Sequence, residues 1–147
     1  MDEIPVYVLS HISASEGEVL YHKRLTRNIA IYKNKKREIR KHFLVTVNNM
    51  VLLDYFTFPL KTTEHYREKD VIPIADIEAI SCEMKKLFIA KRPFIQIRTE
   101  KDVFEIVFSS FGNYAAEMQE IADLVKRLNA KIEITFNLAE MPWTSIV

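Results

Sequence analysis

The sequence predicts an α+β domain in which a series of antiparallel strands is followed by one helix. Three observations carry this. β-Branched and aromatic residues cluster in short runs between residues 18 and 110. Turn-forming and charged stretches separate those runs. The hydrophobic period changes from two to about 3.6 only after residue 113. With 147 residues, 48% hydrophobic and 28% charged, the chain is long enough for one buried core and too apolar for wholesale disorder.

The elements follow in order. "EVLYHKRLTRNIAIY" (18–32) is strand-like and has no helix cap. In "HFLVTVNNMVLLDYFTF" (42–58), Phe43, Val45 and Val47 alternate with Leu44 and Thr46 as a half-buried strand requires. Asn48 and Asn49 then offer a left-handed tight turn, and "MVLLDYFTF" returns. "PLKTTEHYREKD" (59–70) is polar and opens with proline, which predicts a loop. "VIPIADIEAISCEM" (71–84) resumes strand character, with Pro73 marking an edge or bend. "KKLFIAKRP" (85–93) reads as a connector or irregular strand, and "FIQIRTEKDVFEIVFSS" (94–110) as a hairpin turning at "TEKD". In 113–129, Tyr114, Met118, Ile121, Val125 and Leu128 fall on one helical face. Ser110 or Asn113 can cap its start, Glu117 and Glu120 lie near the positive end, and Lys126 and Arg127 near the negative end. A short strand, Ile132 to Phe136, precedes an irregular end.

Several function classes lack their residues. Two isolated glycines, Gly17 and Gly112, cannot build a phosphate-cradling loop. His11, His22, His42, His65 and Cys82 show no zinc-site spacing. Cys82 sits in an apolar strand pattern, the setting of an inert core thiol rather than a nucleophile. No catalysis, cofactor or metal is expected. One cysteine cannot form an internal disulfide, no apolar run spans a bilayer, and the acidic N-terminus lacks a basic signal region, so a cytoplasmic location is expected.

Charge is where the sequence departs from the ordinary. Formal net charge is only +1, yet between His22 and His42 nine Lys/Arg face one acid, Glu38. If 18–32 and 39–47 are consecutive antiparallel strands, "KNKKRE" is the tip between them. Lys23, Arg24 and Arg27 then form one wall and Arg40 and Lys41 the other, with Lys33, Lys35, Lys36 and Arg37 at the tip. Such a positive bowl suits a multiply charged phosphate headgroup. A solvated charged hairpin without a partner, a nuclear-localisation peptide and a nucleic-acid site compete with this reading. Aromatics beyond Tyr32 and Phe43 are not interleaved with the charges, which disfavours nucleic acid. At the C-terminus, "TSIV" has the pattern of a peptide captured by a PDZ domain. Trp143 is either an anchor of the tail or a contact residue.

The order of elements resembles the pleckstrin-homology (PH) superfold. The local sequence is most similar to the tail-homology domain of class I myosins and to GRAM-like and PH-like modules. "EVLYHKRLTRNIAIYKNKKREIRKHFLVTVNNMVLLD" (18–54) carries the resemblance, with "VIPIADIEAIS" (71–81) and the closing hairpin and helix. It implies a strongly bent antiparallel β-sandwich or barrel of about seven strands closed by a C-terminal amphipathic helix. The domain would span residues 18–129, between extensions at 1–17 and 130–147. It further implies a non-catalytic module that binds anionic phospholipid (phosphoinositide or phosphatidic acid) and associates peripherally with membrane. The alternative is a protein–protein adaptor in a cytoskeletal or trafficking assembly. The matching headgroup positions are Lys23, Arg27, Lys33, Lys35, Lys36, Arg37 and Arg40.

Overall fold

The computed structural model describes residues 2–25, 29–57, 64–87, 90–108 and 114–137. In chain order these form helix α1 (Val6–Leu9) and strands β1 (Val19–Arg24), β2 (Ala30–Lys33), β3 (Lys36–Glu38), β4 (His42–Thr46), β5 (Asn49–Thr57), β6 (Glu64–Pro73), β7 (Ile77–Leu87), β8 (Ala90–Thr99) and β9 (Val103–Val107). Helix α2 (Tyr114–Leu128) and strand β10 (Glu133–Phe136) follow. The class is α+β, as predicted. The chain divides into two compact units, one holding β1, β4, β5 and β6, the other holding the remaining strands and α2.

The first unit is an antiparallel sheet in the order β1-β4-β5-β6. Every residue of β4 is buried, so both of its faces are covered. One face presents Leu44, Val51 and Leu53, against which Ile4, Val8, Ile12 and Val19 pack from the N-terminal segment and β1. The other presents Tyr21 and Phe43, whose rings meet edge to face with centroids 6.0 Å apart. This double burial explains why "FLV" and "MVLL" are apolar without interruption, where a half-buried strand would alternate. The N-terminal segment is pinned at both ends. Asp2 donates its N–H to the carbonyl of His22 (2.8 Å) and accepts from the Arg24 N–H on its carboxylate (2.7 Å). Glu16 is buried and ion-paired to Lys69 (3.1 Å), whose ammonium also donates to the His11 carbonyl.

The second unit is a mixed sheet in the order β10-β7-β8-β9-β2-β3, antiparallel throughout except for the parallel β10–β7 pair. Ile80, Cys82, Ile95, Ile97, Phe104 and Ile106 are buried on it. Helix α2 buries Tyr114, Met118, Ile121, Ala122, Leu124 and Val125, the predicted stripe with Ala122 and Leu124 added and Leu128 only half-buried. Lys126 donates to the carbonyls of Ala130 and Ile132, satisfying groups beyond the helix C-terminus. Its N-terminal cap lies outside the described residues.

Five expectations change. The stretch 18–32 is not one strand: β1 ends at Arg24 in the first sheet, and β2 begins at Ala30 in the second. The predicted loop 59–70 contains most of β6, whose polar residues 64–70 pair along β5 as an edge strand. "KKLFIAKRP" lies at the end of a long β7–β8 hairpin. Asn48 and Asn49 are not left-handed. The β4–β5 turn is closed instead by the Thr46 hydroxyl, which accepts from the Asn49 N–H (3.0 Å). The described residues hold ten strands against the expected seven or so, in part because the basic stretch makes its own hairpin. Pro73 does mark both an edge strand and a bend into the 3₁₀ turn Ile74–Asp76.

His22 and His42 meet inside the first unit, Nε2 to Nδ1 at 2.9 Å with ring centroids 5.1 Å apart. Because His22 Nδ1 faces the Asp2 carbonyl at 3.3 Å, the neutral arrangement has His22 donating there and accepting from His42. Burial, then the neighbouring His22, Arg24 and Lys41, lower the His42 pKa to about 4. The folded state therefore favours neutral His42. Its contribution is complete above the ordinary histidine range and is lost as pH falls toward 4. Urea denaturation should show wild type losing stability as pH falls from the ordinary histidine range toward 4, and His42→Gln losing less.

Candidate anion-binding site

The β2–β3 hairpin gathers the densest charge on the chain into the second unit. Its register pairs Ile31 with Glu38, Tyr32 with Arg37 and Lys33 with Lys36, leaving a two-residue turn, Asn34–Lys35. Both turn residues have positive φ, 51° and 69°, as a hairpin turn matched to strand twist requires. Asparagine tolerates this region, whereas lysine in place of glycine costs about 1 kcal/mol. The turn is held by Asn34. Its N–H donates to the Val103 carbonyl, its Oδ1 accepts from the Val103 N–H, and its Nδ2 donates to Asp102 Oδ1, each at 2.8 Å.

Lys35, Lys36 and Arg37 are exposed, and Lys33 is half-buried with its ammonium 5.5 Å from the Phe104 ring centroid. Four cations thus occupy five consecutive residues, and Glu38 follows them in the sequence. The geometry suits point-charge and forked recognition of phosphate oxygens by lysine and arginine together.

The other predicted positions belong to the first unit or lie outside the description. Lys23 is half-buried on β1, while Arg24 and Lys41 are exposed near the His22–His42 pair. Arg27 lies outside the described residues, as do Trp143 and the C-terminal "TSIV". Arg40 is buried. Its Nε and Nη2 both donate to Asp70 Oδ2, at 3.1 and 2.6 Å, and its Nη1 donates to the Ile39 carbonyl. The wall of the predicted bowl that contained Arg40 is accordingly a buried ion pair at that position. Asn34 and the β8–β9 turn are the site elements that sequence reading missed. The signal was present as an asparagine between two short alternating segments, "IYK" and "KRE".

Cys82 is buried, and burial followed by the charge of Glu83 pushes its thiol up to about 12. At neutral pH it is a protonated core residue. Among the described residues, no group of three or more His, Cys, Asp or Glu side chains could hold a metal ion.

No protein-family model matches the sequence, and no curated protein matches it. One solved structure with a similar chain path is "the hSac2 domain from human phosphoinositide phosphatase Sac2", at a TM-score of 0.47 and 10% identity, covering 79% of this chain and 78% of that one. No residue role passes from that domain to this chain.

The buried pair gives a direct check on Arg40. Arg40→Gln removes the guanidinium paired with the Asp70 carboxylate and should cost about 3 kcal/mol in chemical denaturation. Anion binding by the folded fraction should be unchanged.

Proposed function

We propose that this chain is a non-catalytic recognition domain that docks peripherally on anionic phospholipid through the β2–β3 tip. The observation that carries the reading is the exposure of Lys35, Lys36 and Arg37 on a turn that hydrogen bonds hold in one place. No carboxylate among the described residues is bonded to any of these three side chains. Attraction to an anionic leaflet is worth about 1 kcal/mol per nearby cation, so three or four supply reversible membrane affinity. A preorganised tip loses little conformational freedom on docking. Phosphoinositide and phosphatidic acid both offer the required clustered phosphate oxygens. No helix among the described residues is long and apolar enough to cross a membrane, and the proposal is attachment to a cytoplasmic leaflet from outside the bilayer.

Cosedimentation with vesicles tests this. Phosphatidylcholine vesicles carrying phosphoinositide or phosphatidic acid should capture the chain at low salt, and plain phosphatidylcholine should not. The triple change Lys35→Glu, Lys36→Glu, Arg37→Glu should weaken capture by about a hundredfold or more. Raising salt should weaken it steadily. Capture indifferent to lipid charge, or none at low salt, contradicts the reading and favours a protein adaptor.

A further inference from the structure

The phospholipid reading leaves open whether the tip acts alone. The β8–β9 turn that Asn34 grips is itself closed twice. The Thr99 N–H donates to the Asp102 carbonyl (2.9 Å), and the Asp102 N–H donates to the Thr99 hydroxyl (3.0 Å). Between these residues lie Glu100 and Lys101, both exposed. The orientation of the Asn34 amide is determined by its surroundings: a backbone donor lies on one side and a carboxylate acceptor on the other. Only oxygen toward Val103 and nitrogen toward Asp102 satisfies both.

We infer that the β2–β3 tip and the β8–β9 turn form one anion-binding pad, to which Lys101 contributes a further cation and in which Asn34 is a positioning residue. This rests on the phospholipid reading and adds two things to it. Lys101 lies some sixty residues from the basic stretch in sequence, yet the residue after it is bonded to the turn of that stretch. Asp102 brings an acidic group to the edge of a site meant for anions, with one of its oxygens bonded to the Asn34 amide. A residue that merely closed a turn would need only the left-handed tolerance of asparagine. Asn34 also spans to a second turn with both ends of its amide, so side-chain chemistry beyond φ is being used.

The bond between Asn34 and Asp102 can be reversed without altering net charge, and this gives the test. The full chain is titrated with phosphatidylcholine vesicles containing phosphatidic acid. Asn34→Gly keeps positive φ accessible and leaves every charge in place, and is expected to weaken capture about tenfold by freeing the tip. Asn34→Asp sets two carboxylates face to face and is expected to weaken it further. Combining Asn34→Asp with Asp102→Asn restores the bond with donor and acceptor exchanged, and capture should return to within about twofold of wild type. Lys101→Gln should weaken capture about fivefold. Amide hydrogen exchange at Lys35, Lys36 and Val103 should rise in Asn34→Gly and fall back in the exchanged pair. Failure of wild type to sediment with these vesicles overturns the phospholipid reading itself. Wild-type capture with Asn34→Gly captured equally well, or with the exchanged pair no better than Asn34→Asp, overturns the pad alone.

Discussion

Two consecutive residues at positive φ, Asn34 and Lys35, determine where the basic charge of this chain ends up. A two-residue turn is a tight way to reverse a strand, and with both residues in the left-handed region, as here, its twist matches that of the flanking strands. By turning there, the chain makes β2 and β3 a hairpin of their own at the end of the second sheet, before β4 takes its place beside β1. Had the turn been longer, Lys33 to Arg37 would have been a loop with rotational freedom. As built, their backbones are set by a ladder on one side and by the β8–β9 turn on the other. The cost of a left-handed lysine, about 1 kcal/mol, is comparable to the net value of one hydrogen bond of the kind Asn34 makes three times.

The first unit shows the same economy with buried polarity. Strand β4 is covered on both faces, and several buried polar groups of this unit are paired. Arg40 is held by Asp70, Glu16 by Lys69, and His22 by both His42 and the Asp2 carbonyl. Such pairs add little net stability, but removing one member leaves an uncompensated buried group, so they constrain the fold more than they strengthen it. The Asp2 hydrogen bonds to His22 and Arg24 also hold the N-terminal segment across the apolar residues of β4 and β5.

Much of this was legible in the sequence. Helix α2 declared itself through Tyr114, Met118, Ile121 and Val125, because a one-sided helix repeats on a period that no strand shares. The β8–β9 hairpin was equally plain, since "TEKD" separates two apolar runs. Polar edge strands were not legible: β6 has the composition of a loop, and among the described residues it is the edge of its sheet. The basic stretch was found as a charge anomaly but placed in the wrong hairpin. Local pattern cannot tell a strand that continues from one that changes sheet between residues 24 and 30. Arg40 illustrates the consequence. By type and position it belonged with the exposed cations, and only the long-range approach of Asp70 shows it to be buried. His22 and His42 lacked zinc spacing in sequence, and the pairing of β1 with β4 is what brings them together.

Anionic lipid is proposed to meet the β2–β3 tip, as opposed to the whole basic stretch. Covalent acetylation of lysines, read residue by residue by mass spectrometry with and without phosphatidic-acid vesicles, tests it directly. Lys35, Lys36 and Lys101 should be protected on vesicle addition, with Lys41 reacting as before. Equal protection of Lys41 and the tip, or no protection at the tip when the chain is bound, would contradict it.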